Sequence, residues 1–357
     1  IPAIQMTRDV VGLAQTGTGK TASFTLPMID ALSGGRAKAR MPRSLVLAPT
    51  RELAAQVAEN FDVYGKYHKL TKALLVGGES MMEQKKLLDN GVDVLIATPG
   101  RLLDLFERGA VLLNDIKILV IDEADRMLDM GFIPDIEKIV SFIPPMRQTL
   151  LFSATMPPEI KKLTEKFLSN PKSITVDAEI SPAETVEQFL VNVAPKDKNE
   201  VLDKLLKQEK VKNAFIFLNR KIDVDTVAKW LKSKGYAAAP LHGDMPQVRR
   251  TETLKNFKDD VIKLLVCSDV AARGLDIKDV SHVFNYDVPM SADDYIHRIG
   301  RTGRAGSTGR AWMLTSKRDE KYLDAIQKLI KREFIPVELN GKGSKPSSKP
   351  APKAAPN

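Results

Sequence analysis

The chain has 357 residues, too many for one ordinary hydrophobic core, and this length favours two compact domains of roughly 150 residues each. Apolar residues make up 43% of the sequence and charged residues 28%, both near globular averages, so the composition excludes a low-complexity or fibrous protein. Lysine and arginine outnumber aspartate and glutamate by 54 to 45, which suggests a polyanionic partner such as nucleic acid, although this net charge of +9 is equally compatible with solubility alone.

The cysteine count and the apolar runs bear on where the protein works. Cys267 is the one cysteine, which excludes an intramolecular disulfide framework and favours a reducing compartment. The longest apolar runs, such as residues 116–121, are far shorter than the roughly 20 residues of a membrane span. The chain opens on Ile1 with no basic segment followed by an apolar one, so no signal peptide is predicted. We therefore predict a cytoplasmic protein without a membrane segment.

Short runs rich in valine, isoleucine and leucine alternate with stretches of helical period, a pattern typical of parallel strands that helices cover on both faces. The first half predicts strands at residues 9–14, 44–48, 72–76, 93–97, 118–122, 149–152 and 173–176, and the second half at 186–193, 214–218, 237–241, 263–268, 282–286 and 310–314. Both halves are therefore α/β domains with doubly wound sheets. We predict domain 1 over residues 1–178, a linker at 179–185, domain 2 over 186–340 and a disordered basic tail over 341–357.

The first predicted strand runs directly into a glycine-rich loop, and a helical stretch follows. The loop residues are Ala14, Gln15, Thr16, Gly17, Thr18, Gly19, Lys20 and Thr21. Glycines let backbone N–H groups turn towards phosphates, the helix N-terminus adds its positive end, and Lys20 reaches the β and γ oxygens. The general pattern has glycine where Ala14 stands, so the strand–loop–helix context is needed to identify a P-loop. Thr21 is then a predicted ligand of Mg²⁺.

Three carboxylates stand at the carboxyl end of the strand at residues 118–122, where open α/β sheets bind ligands. They belong to Asp122, Glu123 and Asp125. Hydrolysis of ATP needs a carboxylate that holds Mg²⁺ and a second group that orients or deprotonates the attacking water. We assign Asp122 to the metal, directly or through water, and Glu123 to the water.

Further motifs occur in order along the chain. They are PTRELA at 49–54, GG at 77–78, TPGR at 98–101, SAT at 153–155, FIFLNR at 215–220, Gln247 with Arg250, SDVAARGLD at 268–276 and HRIGRTGR at 297–304. With these motifs the chain resembles DEAD-box RNA helicases from its first loop to about residue 340, and within that family it resembles the bacterial RhlE-type group. The resemblance implies two RecA-like domains, ATP and Mg²⁺ as cofactors, and an RNA-dependent ATPase that unwinds short duplexes.

The resemblance implies that Arg301 and Arg304 are arginine fingers, which enter the ATP site only when the second domain docks against the first. A guanidinium on the transferring phosphoryl group is worth about 10³ to 10⁵ in rate. By the same resemblance, Asp276 binds the ATP ribose, and His297 contacts the first domain near the carboxylates.

Two further roles come from the resemblance. Ser153 and Thr155, with Asp125, are expected to link hydrolysis to unwinding. The implied RNA contacts are Thr50, Arg51, Gly78, Thr98 and Arg101 in the first domain, and Arg220, Arg250 and Ser268 in the second. Because such contacts are made to phosphates and sugars, we expect little sequence preference and a strong salt dependence. Selection of RNA over DNA would depend on 2′-hydroxyl contacts.

One feature of the family is missing from this sequence. Family members carry an upstream aromatic residue and a glutamine that reads the adenine edge, whereas Gln5 stands only nine residues before Ala14, closer than that glutamine normally lies. We do not assign the adenine-reading role to Gln5, and we expect the chain to be incomplete at its N-terminus. The expected consequence is phosphate chemistry without strict preference for ATP over GTP.

Two other functions stay open. A DNA helicase or translocase of the same superfamily shares the P-loop and carboxylates, but the DEAD and PTRELA motifs argue against it. A non-catalytic RNA clamp is disfavoured by the retention of Lys20, Glu123, Arg301 and Arg304, although the missing upstream segment is compatible with it.

His68, His242 and His282 have no cysteine or carboxylate partners at metal-ligand spacing, so no zinc is predicted. We expect the core to be monomeric.

Overall fold

Each strand predicted from the sequence forms within one residue of its predicted bounds at either end, and neighbouring strands pair in parallel. The computed structural model describes residues 1–15, 18–35, 40–176, 186–272, 275, 277, 280–303 and 309–338. The predicted linker and tail lie outside the described residues. The chain divides into two units, here called unit 1 (residues 1–179) and unit 2 (the residues that follow, with the exception of 274–276).

Unit 1 is a parallel sheet with helices on both faces. Its strands are β1 (Val10–Ala14), β2 (Ser44–Leu47), β3 (Lys72–Leu75), β4 (Val94–Ala97), β5 (Ile118–Ile121), β6 (Gln148–Ser153) and β7 (Lys172–Val176), in the spatial order β3-β4-β2-β5-β6-β1-β7. Its helices are α1 (Pro2–Gln5), α2 (Lys20–Leu32), α3 (Arg51–Tyr64), α4 (Met81–Asp89), α5 (Pro99–Glu107), α6 (Ala124–Asp129), α7 (Ile133–Ser141) and α8 (Pro158–Phe167).

Alternation of side chains along the strands produces two cores in unit 1, one on each face of the sheet. In β2, Leu45 and Leu47 join one buried cluster, whereas Val46 joins the other. Successive residues of a strand point to opposite faces, so a run that is apolar throughout is what a sheet covered on both sides requires. Gly12 of β1 marks a close approach, because a Cβ atom there would lie 2.6 Å from the Phe152 ring. The sheet therefore packs tightly directly before the glycine-rich loop.

A buried ion pair aligns the amino ends of three neighbouring strands in unit 1. The Arg43 guanidinium donates to one carboxylate oxygen of Asp93 (2.6 and 2.9 Å), and the Thr71 N–H and hydroxyl donate to the other (both 3.0 Å). Burial by itself would raise the pKa of Asp93, but the hydrogen bonds from Thr71 and Arg43 outweigh it and hold that pKa below its ordinary value. The segments that lead into β2, β3 and β4 are thereby tied together, which fixes where these strands begin.

Unit 2 repeats the same architecture. Its strands are β8 (Val186–Asn192), β9 (Ala214–Leu218), β10 (Ala238–Leu241), β11 (Leu264–Ser268), β12 (His282–Asn285), β13 (Gly309–Thr315) and β14 (Ile335–Pro336), in the order β10-β11-β9-β12-β13-β8-β14. Its helices are α9 (Lys198–Gln208), α10 (Lys221–Ser233), α11 (Gln247–Lys258), α12 (Asp269–Ala272), α13 (Ala292–Ile299) and α14 (Glu320–Ile330), with 3₁₀ turns at Pro195–Asp197 and Lys317–Asp319. The short edge strand β14 was not predicted. The predicted fold class, two doubly wound α/β domains, is confirmed.

Candidate functional site

Because all strands of a parallel sheet run the same way, the residues that follow each strand meet at its carboxyl edge. In unit 1 this edge has two halves. The glycine-rich loop, the three carboxylates and the SAT motif follow β1, β5 and β6, which are close neighbours in the sheet. The PTRELA, GG and TPGR motifs follow β2, β3 and β4, which form the other half. The predicted phosphate chemistry and the predicted RNA contacts of unit 1 therefore lie side by side along one edge.

The glycine-rich loop connects the end of β1 to the start of α2. The Thr18 hydroxyl donates to the Gln15 carbonyl (2.8 Å), and Gly19 has φ +87°, a left-handed conformation that favours glycine. Lys20 then begins α2, and the first N–H groups of a helix have no partners within it, so they are available to an anion. Of the other predicted loop residues, Ala14 ends β1, Thr21 is the second residue of α2, and Thr16 and Gly17 lie outside the described residues.

A cavity of about 220 Å³ adjoins this loop within unit 1. Thr18, Gly19 and Lys20 line it together with apolar side chains of α1, β1, β6 and β7. Gln5, to which no adenine-reading role was assigned, donates to the Asp30 carboxylate on α2 (3.3 Å).

The carboxylates that follow β5 are buried. Asp122 is 2% exposed, Glu123 5% and Asp125 9%, although acidic side chains are seldom buried unless they are paired. Burial, and next the charge of Glu123, raise the pKa of Asp122 to about 7, whereas the nearby Lys20 ammonium lowers it. The structure therefore brings the predicted metal-binding carboxylate, the predicted base and the P-loop lysine into one cluster.

Asp125 joins this cluster to the SAT motif that follows β6. Its Oδ2 atom accepts hydrogen bonds from the N–H of Ala154 (3.1 Å), the N–H of Thr155 (3.0 Å) and the hydroxyl of Thr155 (3.1 Å). The Ser153 hydroxyl in turn accepts a bond from the Asp125 N–H (3.3 Å). A displacement of either segment would therefore be transmitted to the other through four hydrogen bonds.

Glu123 has a second buried contact that the sequence analysis did not foresee. Its Oε2 atom lies 3.1 Å from Nε of Arg126, and both side chains are almost completely buried. Glu123 also has φ +52° and ψ +54°, a left-handed conformation that is uncommon for a residue with a side chain.

The predicted RNA-contact residues of unit 1 gather at the ends of β2, β3 and β4. The Thr50 hydroxyl caps α3 by accepting from the Leu53 N–H (3.2 Å), and a Cβ atom on Gly77 would lie 3.3 Å from the Arg51 guanidinium. Gly78 has φ +80°.

The TPGR motif completes this group. Thr98 precedes α5, and its N–H donates to the Leu75 carbonyl at the end of β3 (3.1 Å). Arg101 donates to the Glu79 carbonyl (3.3 Å) and to the Gln84 side chain (3.1 Å). The structure therefore brings these residues of unit 1 together on neighbouring strand ends.

In unit 2, the predicted RNA-contact residues again follow neighbouring strands. Ser268 ends β11, and Arg220 follows β9, where its exposed guanidinium pairs with Asp223 (2.7 Å). Arg250 is buried on α11 and donates to the His242 carbonyl, which follows β10 (3.1 Å).

Arg298 organises the carboxyl edge of unit 2, a position that the sequence analysis quoted without assigning it a role. It is 1% exposed, forms a bidentate pair with Asp269 (both 2.6 Å), and also donates to Asn219 (2.9 Å), Asn285 (3.2 Å) and the Asp287 carbonyl (2.7 Å). The strand ends of β9, β11 and β12 are thereby joined to α13. Because arginine is rarely buried, the sequence gives no reason to expect a buried one here. Nothing in the motif distinguishes Arg298 from Arg301 and Arg304, which are predicted to reach ATP.

Of the remaining predicted residues, His297 and Arg301 lie on or directly after α13. His297 is partly buried on that helix, and Arg301 is 5% exposed, with its N–H donating to the Arg298 carbonyl (3.2 Å). Asp276 and Arg304 lie outside the described residues.

Two searches of the described residues concern membranes and metals. None of their helices has both the length and the hydropathy to cross a bilayer. Within the same residues, no group of three or more histidine, cysteine, aspartate or glutamate side chains is arranged to hold a metal ion.

Comparison with known proteins gives matches over both halves of the chain. The family model described as DEAD/DEAH box helicase matches residues 1–163, and the one described as Helicase conserved C-terminal domain matches residues 197–306. The DEAD-box ATP-dependent RNA helicase CshA of Bacillus subtilis is 42% identical over 94% of this chain and 67% of its own length. The ATP-dependent RNA helicase DeaD of Mycobacterium tuberculosis is 44% identical over 95% of this chain and 60% of its own length.

Solved structures agree with these matches. Saccharomyces cerevisiae Dbp5 bound to RNA and ADP BeF3 is 34% identical, with a TM-score of 0.79 over 92% of this chain and 85% of that one. A DEAD box protein from Methanococcus jannaschii is 36% identical, with a TM-score of 0.53 over 94% of this chain and 90% of that one.

The fold and the site define a P-loop nucleotide hydrolase with two RecA-like domains. The chain belongs to the DEAD-box family of ATP-dependent RNA helicases. The function and enzyme class predicted from the sequence are confirmed at the level of the family. The chain spans 60% to 67% of the length of the two curated relatives.

Proposed function

We propose that this chain binds ATP at the carboxyl edge of unit 1, hydrolyses it to ADP and phosphate when RNA is bound, and uses the cycle to separate short RNA duplexes. The observation that carries the proposal is the buried cluster of carboxylates beside Lys20, joined through Asp125 to the SAT motif. Lys20 and the start of α2 bind the phosphates, and Glu123 orients or deprotonates the attacking water.

Mg²⁺ is the proposed metal, held by the Thr21 hydroxyl and the Asp122 carboxylate. Magnesium keeps several waters and takes one or two carboxylates together with substrate phosphates, so it needs no dedicated cluster of three protein ligands. Burial, and next the charge of Glu123, raise the pKa of Asp122, and a divalent cation would favour the charged carboxylate. When bound, the ion neutralises charge on the β and γ phosphates.

RNA is proposed to bind the other half of the same edge, through the predicted contacts at the ends of β2, β3 and β4, and to engage unit 2 through Arg220, Arg250 and Ser268. Dbp5 is bound to RNA and ADP BeF3 in its solved structure, which supports simultaneous binding of nucleotide and RNA by this chain. Each ligand then raises the affinity for the other, because both favour a closed form of the two domains. Closure would bring Arg301 and Arg304 to the phosphates, Asp276 to the ribose and His297 to the carboxylates.

Several finer assignments belong to this proposal. They are membership of the RhlE-type group, a monomeric core, a cytoplasmic location, and a division into domains at residues 1–178 and 186–340. A DNA translocase and a non-catalytic RNA clamp are the competing functions.

Steady-state ATP hydrolysis, measured with single-stranded RNA, with DNA of the same sequence and with no nucleic acid, tests the proposal. We expect stimulation by RNA alone, because only RNA offers 2′-hydroxyl contacts. Equal stimulation by DNA would favour the translocase, and RNA binding without hydrolysis would favour the clamp. A Glu123→Gln control identifies any contaminating ATPase.

A further inference from the structure

Three segments of unit 2, each the end of a helix with the loop that follows it and here called the three loops, form a lysine-rich surface at the edge of the sheet opposite the helicase motifs. Residues 208–213, 229–236 and 255–263 lead into β9, β10 and β11, which are adjacent in the sheet. The Lys263 N–H donates to the Ala237 carbonyl (2.8 Å), and the Lys263 carbonyl accepts from the Ala214 N–H (2.9 Å). The three loops are therefore fixed side by side, at the strand spacing of about 4.8 Å.

The charges in these loops are strongly unequal. Eight lysines stand against three acidic residues, namely Lys210, Lys212, Lys229, Lys232, Lys234, Lys255, Lys258 and Lys263 against Glu209, Asp259 and Asp260. We call these eight lysines the amino-edge lysine surface.

Two of the three acidic residues are already engaged. Glu209 is buried against His282 (3.2 Å) and Arg310, and Asp260 pairs with Lys263 (3.1 Å). Within the described part of the chain, the other seven lysines are exposed and make no ion pair, and Lys234 lies over the Trp230 ring at 5.4 Å. Unbalanced positive charge beside an aromatic ring is the composition that binds a nucleic-acid backbone.

We propose that the amino-edge lysine surface binds the phosphate backbone of RNA outside the helicase motifs. The inference rests on the proposed function only in taking RNA as the polyanion. β11, with five residues, separates Lys263 from the motif residue Ser268 by about 17 Å. A short RNA whose nucleotides are all bound along the motifs has none left to cross that distance, whereas a longer RNA reaches both. The surface therefore adds affinity for long substrates and none for short ones.

The test replaces Lys212, Lys232, Lys234 and Lys258 with glutamine and measures binding by fluorescence anisotropy at several salt concentrations. Two single-stranded RNAs are compared, of about 10 and about 40 nucleotides. For the longer RNA we expect weaker binding and a salt slope reduced by about 0.7 for each lysine that contacts a phosphate. For the shorter RNA we expect affinity within twofold of the unchanged protein.

A matched variant carries the same charge change in unit 1, at the exposed Lys69, Lys86, Lys161 and Lys162. Equal losses in the two variants would show a non-specific effect of net charge and overturn the proposal. An unchanged salt slope for the longer RNA would also overturn it. These lysines would then serve only to stabilise the negative ends of helix dipoles. Binding of polyglutamate with no effect on long RNA would identify an acidic protein partner instead. Failure of the unchanged protein to bind the short RNA would contradict the proposed function, which is a separate result.

A second inference concerns the buried contact between Glu123 and Arg126. Nε of Arg126 lies 3.1 Å from Oε2 of Glu123, yet the two are not aligned as a hydrogen bond. In the described part of the chain, neither Glu123 Oε2 nor Arg126 Nη1 has a hydrogen-bond partner. The carboxylate is therefore held by charge and packing, without a hydrogen bond to Oε2.

The backbone supports this arrangement on both sides. The Glu123 N–H donates to Oδ1 of Asp122, and the Arg126 N–H donates to Oδ1 of Asp125 (both 3.0 Å). The left-handed conformation of Glu123 is strained, and such strain persists where surrounding contacts enforce it. Glu123 directly precedes α6 and Arg126 lies in its first turn, and the 3.1 Å contact between them places Arg126 to hold the Glu123 side chain in one position.

We infer that Arg126 is a positioning residue that orients Glu123, an inference that depends on the proposed role of Glu123. A guanidinium is planar and remains charged, so it fixes its partner more rigidly than an ammonium does. Misplacement of a reacting group by 1 Å costs about 10²-fold in rate.

A double-mutant cycle tests this role. We expect Arg126→Gln to lower kcat for RNA-stimulated hydrolysis about 10- to 100-fold with KM for ATP unchanged, and Arg126→Lys to recover part of the loss. In a Glu123→Gln background, measured in single-turnover experiments, Arg126→Gln should have no further effect. Arg108→Gln, which removes an exposed ion pair on α5, is the matched control.

Additive losses in the two backgrounds would overturn the inference, because a merely structural arginine lowers both rates equally. An increase in KM with kcat unchanged would also overturn it. Full activity of Glu123→Gln alone would contradict the proposed role of Glu123 itself, whereas additive losses overturn only the positioning role.

Discussion

Arg301→Ala is expected to lower RNA-stimulated ATP turnover by about 10³- to 10⁵-fold, while the protein still binds ATP and RNA. The reason is that Arg301 belongs to unit 2, whereas Lys20 and the carboxylates belong to unit 1. A guanidinium supplied only on closure stabilises the charge of the transition state and contributes little to the first binding of nucleotide. The loss corresponds to roughly 4 to 7 kcal/mol of transition-state stabilisation.

The measurement is kcat for ATP with saturating RNA, together with the affinity for a fluorescent ATP analogue. Arg301→Lys should recover little, because an ammonium lacks the fork that contacts two phosphate oxygens. Arg318→Ala, at an exposed position of unit 2, is the control. Arg301 is buried, so thermal unfolding of each variant must also be compared. Undiminished stimulation of Arg301→Ala by RNA would exclude the arginine-finger role.

Glu123→Gln is expected to lower kcat for ATP hydrolysis by about 10²- to 10⁴-fold with little change in KM. Glutamine keeps the size of the side chain but cannot accept a proton, so the attacking water loses its base. The proposed binding of ATP depends on Lys20 and the start of α2, which the substitution does not touch.

Initial rates of ATP hydrolysis, measured over a range of ATP concentrations in the presence of RNA, give kcat and KM separately. Glu107→Gln, which alters an exposed glutamate paired with Lys138, is the control for loss of a carboxylate elsewhere in unit 1. A raised KM with normal kcat would mean that Glu123 binds nucleotide and does not activate water.

The sequence predicted the fold and the placement of the motifs because both follow from simple periodicities. Apolar runs bounded by turns identify parallel strands, and a polar residue directly after such a run must lie at the carboxyl edge. Asp122 after β5 and Lys20 after β1 are of this kind, and the structure places them close enough for their charges to interact.

The parts that the sequence could not predict depend on tertiary burial. Nothing in the pattern around Arg298 or Arg126 shows that these guanidinium groups are buried, since arginine is ordinarily exposed. The left-handed backbone of Glu123 is equally hidden, because glycine and asparagine are the usual signals for that conformation. The edge strand β14 is only two residues long and carries no periodic signal.

The order of strands in unit 1 has a consequence for how the protein is made. β1, which is synthesised first, lies between β6 and β7, which are synthesised last. The Thr149 N–H, for example, donates to Asp9, 140 residues earlier in the chain. Translation proceeds from the N-terminus at about 5 to 20 residues per second. β1 therefore stays unpaired for several seconds, until β6 and β7 have been synthesised. The proposed ATP site therefore cannot assemble during most of the translation of unit 1, and such distant pairing slows folding.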